Sequence, residues 1–364
     1  MATDARFDVP ADLAVRVPEA TMRATARSLF QALGMRPQDA DRAADVLLYA
    51  DLRGIDSHGV ANMFPFYVQW LRSGHLDPRA TPKVVRQAPA TATIDDHRGL
   101  GLATCHDAMA LAVDKARTCG LGSVAVTNSG HFGAAAYWAA MALERDVIGA
   151  DMIGVAMTVG GLLVAPTYGA KAMVGLNPLA IAVPAKAQPP FVFDGSMSSV
   201  AGNKIRIARR LGATVAPGWI AHADGTPIME EAEVPEDFLM LPLGGTREIG
   251  SHKGYSLAVM VDVLSGVLSG TGAGFLHPGD VSHHFLAYRV DAFRDADDFR
   301  ADMDAYLQGL RDCPTAPGHD RVLYAGLYEH ETEADRRANG IPYHPDVLAW
   351  FRAIAAELGA KSEL

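Results

Sequence analysis

The chain has 364 residues, of which 49% are hydrophobic and 20% charged, and it carries a formal net charge of −10. Its length allows one large core or two moderate ones, and its composition is typical of a globular protein. The negative charge, without a dense Lys/Arg face, argues against a nucleic-acid partner. Three cysteines, Cys105, Cys119 and Cys313, are too few and too scattered for a disulfide framework or a zinc site. We therefore expect no metal.

The N-terminal residues include several acidic side chains and no apolar core of signal-peptide length. No run approaches the ~18 apolar residues of a membrane span, so we expect no membrane partner. A low number of cysteines is typical of proteins in a reducing compartment. The sequence thus predicts a soluble, cytoplasmic protein.

Helices are predicted first, over 18–54 and then 62–74, because apolar residues recur at spacings of three and four. The sequence pattern changes near Lys83, where alternating apolar and polar residues predict two short strands. Strands and helices then interleave. The patterns predict helices over 107–120, 134–145, 199–212, 254–270, 296–312 and 344–359, and strands over 121–129, 152–160, 179–185, 191–196, 283–292 and 321–328.

This order predicts a mixed α/β fold in three parts. Residues 1–84 form a helical N-terminal segment, and 85–275 form a central α/β domain. Residues 276–364 pack back on the N-terminal helices and the central domain, so that both ends of the chain build one helical domain.

The stretch "DLRGIDSHGV", residues 51–60, gathers Arg53, Asp56, Ser57 and His58 where a helix should end. It has two interpretations. In the first, Asp56 or Ser57 caps the next helix. In the second, His58 transfers a proton, since the unperturbed pKa of histidine lies near working pH.

A second histidine, His131 in "NSGHFG", follows a predicted strand and precedes a helix. Ligands in open α/β sheets bind beyond strand ends, so a site histidine and an ordinary turn histidine both remain open. Asp194 likewise ends a strand, where it either serves a site or caps a helix. The loop "GGTREIGSHKG" places Arg247 and Lys253 before an apolar helix, which suits an anion or a solvated basic loop.

The sequence gives little support for a Rossmann-type dinucleotide-binding site. The pair Gly99 and Gly101 follows a strand but lacks the third glycine of the dinucleotide fingerprint. The acidic residue that should end a second strand, Asp114, falls inside a predicted helix.

Six ordered motifs carry a resemblance: "DLRGIDSHGV", "GHLDPRATPKVV", "NSGHFGAAAYW", "GLNPLAIAVP", "FDGSMSSVAGNK" and "GGTREIGSHKGYSLA". Over 19–342 the chain resembles the malate/L-lactate dehydrogenase family, which is unrelated to the Rossmann-type enzymes and includes ureidoglycolate, sulfolactate and 2,3-diketogulonate oxidoreductases and cyclic imino acid reductases. The resemblance implies a non-Rossmann nicotinamide-binding fold. It also implies a homodimer whose active site lies near the subunit interface.

The resemblance also implies roles for single residues. His58 matches the proton donor and acceptor, with Ser57 beside it. His131 matches a second histidine at the nicotinamide and substrate, which carries the acid/base role in some members. The remaining matches are cofactor contacts, of which the last two are looser: Thr158, Asp194, Ser196, Ser198, Lys253, Gly326 and Glu329.

One motif departs from the family. Many members have an arginine that grips the substrate carboxylate and a tyrosine four residues later, where this chain has Asn62 and Phe66. Asparagine cannot make the charged, two-pronged contact of arginine. We expect Tyr67 to stand in for the tyrosine, and Arg53, Arg247 or a partner-subunit residue to supply the charge.

The resemblance therefore predicts an NAD(P)-dependent oxidoreductase that transfers a hydride between nicotinamide and a small 2-hydroxy or 2-oxo acid. Two alternatives remain: reduction of a C=N bond in a cyclic or N-alkyl imino acid, and a nucleotide-binding protein without catalysis. The sequence does not distinguish NAD from NADP.

Overall fold

The fold is built around a twisted sheet in a computed structural model that describes residues 7–143, 152–276, 279 and 281–364. Its strands are β1 (Val15–Val17), β2 (Lys83–Gln87), β3 (Thr91–Gly99), β4 (Leu121–Ser129), β5 (Met152–Thr158), β6 (Leu179–Val183), β7 (Phe191–Gly195), β8 (Ile220–Ala221), β9 (Leu239–Met240), β10 (Val281–Arg289) and β11 (Ile341–Tyr343). Seven of them form the main sheet in the order β2-β3-β4-β10-β5-β6-β7, and the others pair as β1-β11 and β8-β9.

Ten α-helices surround these strands in the described residues. They are α1 (Glu19–Ala32), α2 (Pro37–Leu52), α3 (Val60–Arg72), α4 (Gly101–Cys119), α5 (Ala135–Ala140), α6 (Gly202–Leu211), α7 (Ser251–Val261), α8 (Ala296–Arg311), α9 (Leu327–Asn339) and α10 (Pro345–Leu358). The fold class is mixed α/β, as predicted. None of the described helices is both long and apolar enough to cross a bilayer.

Only one neighbouring pair of strands in the main sheet, β3 and β4, is parallel. The chain joins these two strands through α4, because a parallel pair needs a long crossover. Two glycines let helices approach the sheet closely. A Cβ on Gly122 of β4 would lie 1.8 Å from the Ala112 carbonyl oxygen of α4, and one on Gly154 of β5 would lie 2.0 Å from the Ala139 oxygen of α5.

One buried cluster continues from the helices of both chain ends into the sheet. The Phe30 ring lies 4.5 Å from Phe64, and the Phe64 ring lies 5.2 Å from Phe351 of α10. These contacts join α1, α3 and α10, so the C-terminal helix packs on the N-terminal ones. A second cluster, around Ile205 and Met240, packs α6 against β9.

Most predicted elements are present with shifted ends. The predicted helix over 107–120 begins earlier, at Gly101, and the one over 254–270 begins at Ser251 and continues as a π-helix, Asp262–Val267. Residues 144 and 145, predicted to end a helix, lie outside the described residues.

The strand predicted over 321–328 is wrong. This segment is irregular and then enters α9, because Glu329 accepts a hydrogen bond from the Gly326 N–H and so caps the helix start. The β-branched and aromatic residues of "RVLY" favoured a strand, but one backbone bond, from Val192 N–H to the Ala325 oxygen, is what ties the segment to β7.

Candidate active site

The turn of the "SHG" motif lies between two helices, where α2 ends at Leu52 and a 3₁₀ turn precedes α3. Asp51 crosses beneath it and accepts the Val60 N–H at 3.1 Å. The first turn of α3 is therefore bound by Asp51 rather than by Asp56 or Ser57. A Cβ on Gly59 would lie 1.7 Å from the Asp51 Oδ1, so glycine is required here by the close approach of that carboxylate.

The turn brings His58 beside His131, the histidine that follows β4. Their rings stack with centroids 5.8 Å apart and planes inclined by 14°. Ser57 Oγ lies 2.9 Å from the Nδ1 of His58 and orients that ring. The two histidines singled out from the sequence are thus neighbours, although 73 positions of chain numbering separate 58 from 131.

His131 is held through its Nδ1 atom. The Tyr67 hydroxyl lies 2.8 Å from this nitrogen, and the Gly133 N–H donates to it at 3.2 Å. Because a backbone N–H can only donate, Nδ1 accepts, and the neutral ring carries its proton on Nε2. Within the described residues, the Nε2 atoms of both His58 and His131 have no hydrogen-bond partner.

Both histidines are partly exposed but strongly desolvated. Burial lowers the pKa of His58 from 6.5 to about 4. Burial, and then the neighbouring His58 and His283, lower the pKa of His131 to about 3. Both rings are therefore neutral at pH 7, with one nitrogen open to a ligand.

A third histidine, which the sequence analysis did not single out, supports the His131 loop from behind. His283 of β10 is fully buried, and its Nε2 donates to the Gly130 carbonyl oxygen at 3.1 Å. Its Nδ1 lies 2.8 Å from the Thr158 hydroxyl, and its ring stacks on Phe132 at 4.6 Å. His283 therefore connects the His131 loop to Thr158.

An ion pair supports the turn from the other side. Arg336 of α9 donates to both carboxylate oxygens of Asp56, at 2.6 and 3.2 Å, and also to the Asp51 backbone oxygen. The Tyr343 hydroxyl donates to the buried Asp51 carboxylate at 2.9 Å. Burial, and then the charge of Asp56, raise the pKa of Asp51 to about 7.

The residues predicted to bind the substrate differ in whether their polar groups are already engaged in other contacts. Arg53 pairs with Glu333 at 2.7 Å and lies over a tyrosine ring, so its charge is already balanced. Asn62 donates to the Asp56 carbonyl oxygen at 2.6 Å and so ties the turn to α3. Tyr67 contacts His131 directly, and Arg247 is exposed.

Of the predicted cofactor residues, Asp194 lies at the end of β7 and accepts the Ala136 N–H at 2.7 Å. It therefore binds the start of α5, not the helix that follows it in sequence. Burial raises its pKa to about 6. Ser198 Oγ donates to the Val200 carbonyl oxygen and lies 3.0 Å from Ser196 Oγ, while Lys253 is exposed.

Among the described residues, two buried polar atoms without a hydrogen-bond partner are related to predicted cofactor residues. One is the hydroxyl of Tyr49, whose pKa is raised first by burial and, against the opposing charge of Arg53, also by the charge of Asp194. The other is the Nδ1 of His252, which precedes Lys253 in the chain. A dinucleotide carries hydroxyl, amide and phosphate groups that can satisfy such atoms, so these residues fit a nicotinamide cofactor. In residues 7–143, 152–276, 279 and 281–364, no cluster of three or more acidic, histidine or cysteine side chains is placed to hold a metal ion.

Known proteins resemble this chain over most of its length. The family model "Malate/L-lactate dehydrogenase" matches residues 17–352. The malate dehydrogenase of Pyrococcus abyssi is 36% identical over 355 residues, which cover 95% of this chain and 96% of that protein. The L-sulfolactate dehydrogenase of Methanocaldococcus jannaschii is 31% identical, with 92% and 95% covered.

The solved structures show the same relationship. The malate dehydrogenase of Pyrococcus horikoshii superimposes with a TM-score of 0.88 at 32% identity, covering 98% of this chain and 99% of that one. The match extends over the whole fold and includes both histidine motifs within its range. A nicotinamide cofactor follows from this relationship. The chain therefore belongs to the malate/L-lactate dehydrogenase family, a family of oxidoreductases.

Proposed function

We propose that the protein transfers a hydride between NAD or NADP and a small 2-hydroxy or 2-oxo acid, with His58 moving the accompanying proton. The observation that supports this proposal most strongly is the stacked pair His58 and His131, each with a free Nε2. Two neighbouring neutral imidazoles would provide a proton carrier and a hydrogen-bond donor for a single substrate oxygen.

The chain's residues divide the work as follows. The nicotinamide, when bound, supplies or accepts the hydride. His131 donates from Nε2 to the substrate oxygen, since Tyr67 and Gly133 hold its other nitrogen. His58, protonated on both ring nitrogens before reduction, gives its Nε2 proton to that oxygen, and the neutral ring takes the proton back during oxidation, while Ser57 keeps the ring in place.

The cofactor would lie along residues that border the histidine pair. The Asp194 carboxylate would accept hydrogen bonds from ribose hydroxyls of the cofactor, and Ser196 and Ser198 follow it in the chain. Thr158, Lys253, Gly326 and Glu329 complete the proposed contact set.

The pH dependence follows from the desolvated histidine. The pKa of His58 is lowered to about 4, so the neutral base needed for oxidation persists as the pH falls through 6.5. We expect kcat/KM for hydroxy-acid oxidation to fall on the acid side near pH 4 to 5, because the pH dependence of kcat/KM reports the pKa values of the free enzyme. A pH–rate profile measured with a non-titrating substrate checks this. An acid limb centred near 6.5 would contradict the low pKa of His58.

A substrate panel tests the proposed function. Purified protein is assayed for loss of reduced-cofactor absorbance with 2-oxo acids, with and without methylamine, against NADH and NADPH. Turnover of 2-oxo acids alone supports the proposal. Turnover only when an amine or a cyclic imine is present would favour the imino acid alternative, and cofactor binding without any turnover would favour the inactive alternative.

We further propose that two copies associate through one apolar face. This face is formed by exposed side chains of α7 and its π-helical extension: Leu257, Met260, Val263, Val267 and Leu268. Exposed apolar patches of this kind mark association sites. The face begins one helical turn beyond Lys253, which would place the interface near the cofactor.

Negative charges introduced on this face should prevent two copies of the chain from associating. We expect Val263→Asp/Val267→Asp to elute at the monomer mass in size-exclusion chromatography with light scattering, while wild type elutes as a dimer. Phe293→Asp, at a more exposed site that is not among the residues of this face, is the control and should stay dimeric. A monomeric wild type, or a dimeric double variant, would refute the assignment of this face.

A further inference from the structure

Helix α6 presents one row of polar side chains to the catalytic turn and to α3. Asn203, Arg206 and Arg210 are spaced three and four residues apart, so they share a helix face. The Asn203 amide donates to the Ser57 carbonyl oxygen at 2.7 Å. This contact fixes the row beside the residue that orients His58.

The two arginines of the row reach α3 at neighbouring turns. The guanidinium of Arg206 lies 4.3 Å from the centroid of the Phe66 ring. Arg210 Nη2 donates to the Asn62 amide oxygen at 3.3 Å. Arg206 and Arg210 therefore contact the two positions, 66 and 62, at which this chain departs from the tyrosine and arginine expected from the resemblance.

A line of aromatic rings connects these arginines to the histidines. The Phe66 ring lies 5.7 Å from Trp70, and the Trp70 ring lies 6.5 Å from His131. Asn203 contacts the turn that carries His58, and Arg206 lies over Phe66 at the far end of this line of rings. Helix α6 is thus joined to the histidine pair through both the turn and the rings.

The charge balance around the turn distinguishes these arginines from their neighbours. Arg53 is neutralised by Glu333, and Arg336 by Asp56. Arg206 and Arg210, in contrast, form no ion pair with a carboxylate anywhere in the described parts of the chain. In the described residues both guanidinium groups contact neutral partners only, so their positive charges remain available to an anion.

We propose that Arg206 and Arg210 bind an acidic group of the substrate, a carboxylate or a comparable oxyanion, in place of an arginine at position 62. The inference rests on the proposed function. Guanidinium groups suit this role because their planar N–H donors match a carboxylate in two-pronged geometry. Asn62 then positions Arg210 instead of touching the substrate.

The test compares glutamine variants with a control on the same helix. Arg209 is exposed, but its guanidinium donates to the Pro235 and Glu236 backbone oxygens on another side, so Arg209→Gln removes an equal charge away from the row. We expect Arg206→Gln/Arg210→Gln to raise the substrate KM by about tenfold to a hundredfold, with kcat within a few-fold. Pyruvate and oxaloacetate serve as monoacid and diacid substrates. Titration calorimetry with malonate, an unreactive diacid, measures binding without turnover.

Each outcome decides the proposal. Equal KM losses for pyruvate and oxaloacetate place the pair at the carboxylate beside the reacting carbon, and a loss for oxaloacetate alone places it at the second acidic group. Unchanged KM and malonate affinity relative to Arg209→Gln would overturn it, as would a rise in the KM of the reduced cofactor alone. In either overturning case, a full loss of turnover in His58→Ala would leave the proposed function standing.

Discussion

Replacement of His58 by alanine is expected to lower kcat by roughly 10²- to 10⁴-fold while the affinity for reduced cofactor stays near that of wild type. The effect is large because the Nε2 of His58 is the proposed proton carrier and lies in a desolvated site. The affinity is retained because the proposed cofactor contacts, such as Asp194 and Lys253, lie on other elements. Single-turnover absorbance and cofactor fluorescence titration measure the two quantities separately.

Two matched variants identify which histidine moves the proton. Tyr67→Phe removes the hydroxyl that lies 2.8 Å from His131 Nδ1, and Ser57→Ala removes the partner of His58 Nδ1 at 2.9 Å. If His58 carries the proton, Ser57→Ala should shift the pH profile and Tyr67→Phe should not. Turnover of His58→Ala within a few-fold of wild type would transfer the role to His131.

The sequence predicted the mixed α/β fold and brought forward both histidines because their signals are local. Serine and glycine flank His58, and glycines surround His131, so short windows were enough to mark them. Strands such as β4 and β10 were likewise visible, since apolar β-branched runs carry their own pattern.

The rest of the site depends on contacts between residues far apart in the chain, which no short sequence window contains. Arg336 reaches Asp56 across 280 positions, and His283 reaches Thr158 across 125. Nothing in the local sequence of α9 indicates that its arginine lies beneath the turn that carries His58. The helix itself was missed because the segment before Gly326 favours a strand, and the capping by Glu329 decided the structure.

Four short strands were not predicted, β1 with β11 and β8 with β9, because each pair joins residues far apart in sequence. Strand β1 has three residues and pairs antiparallel with β11, from Val15 opposite Tyr343 to Val17 opposite Ile341. Three residues are too few to show an alternating pattern, so these strands exist through tertiary pairing. Tyr343 uses that pairing to reach Asp51. Both chain ends thereby become part of the support for His58.

This support leads to the largest expected effect on stability, that of Arg336→Met. The Arg336 side chain is 10% exposed, and its pair with Asp56 has both N–O distances within hydrogen-bond range. Methionine fills the volume of the arginine stem but leaves Asp56 and the Asp51 backbone oxygen without their donor. Removing one partner of a buried pair costs about 3–5 kcal/mol. Because Asp56 is 36% exposed, we expect the lower end, about 3 kcal/mol of unfolding free energy.

Urea denaturation of Arg336→Met beside Arg337→Met measures this cost against a neighbour on the same helix. Arg337 is 52% exposed and pairs with Glu19 and Glu333 at the surface, where such pairs contribute about 0–1 kcal/mol. Asp56→Asn/Arg336→Met should recover part of the loss, since it removes the uncompensated charge together with its partner. Equal losses for Arg336→Met and Arg337→Met would show that the ion pair beneath the turn contributes no more than a surface pair. A loss specific to Arg336→Met would instead show that a residue of α9 stabilises the turn that carries His58, so that the C-terminal part of the chain supports this N-terminal turn.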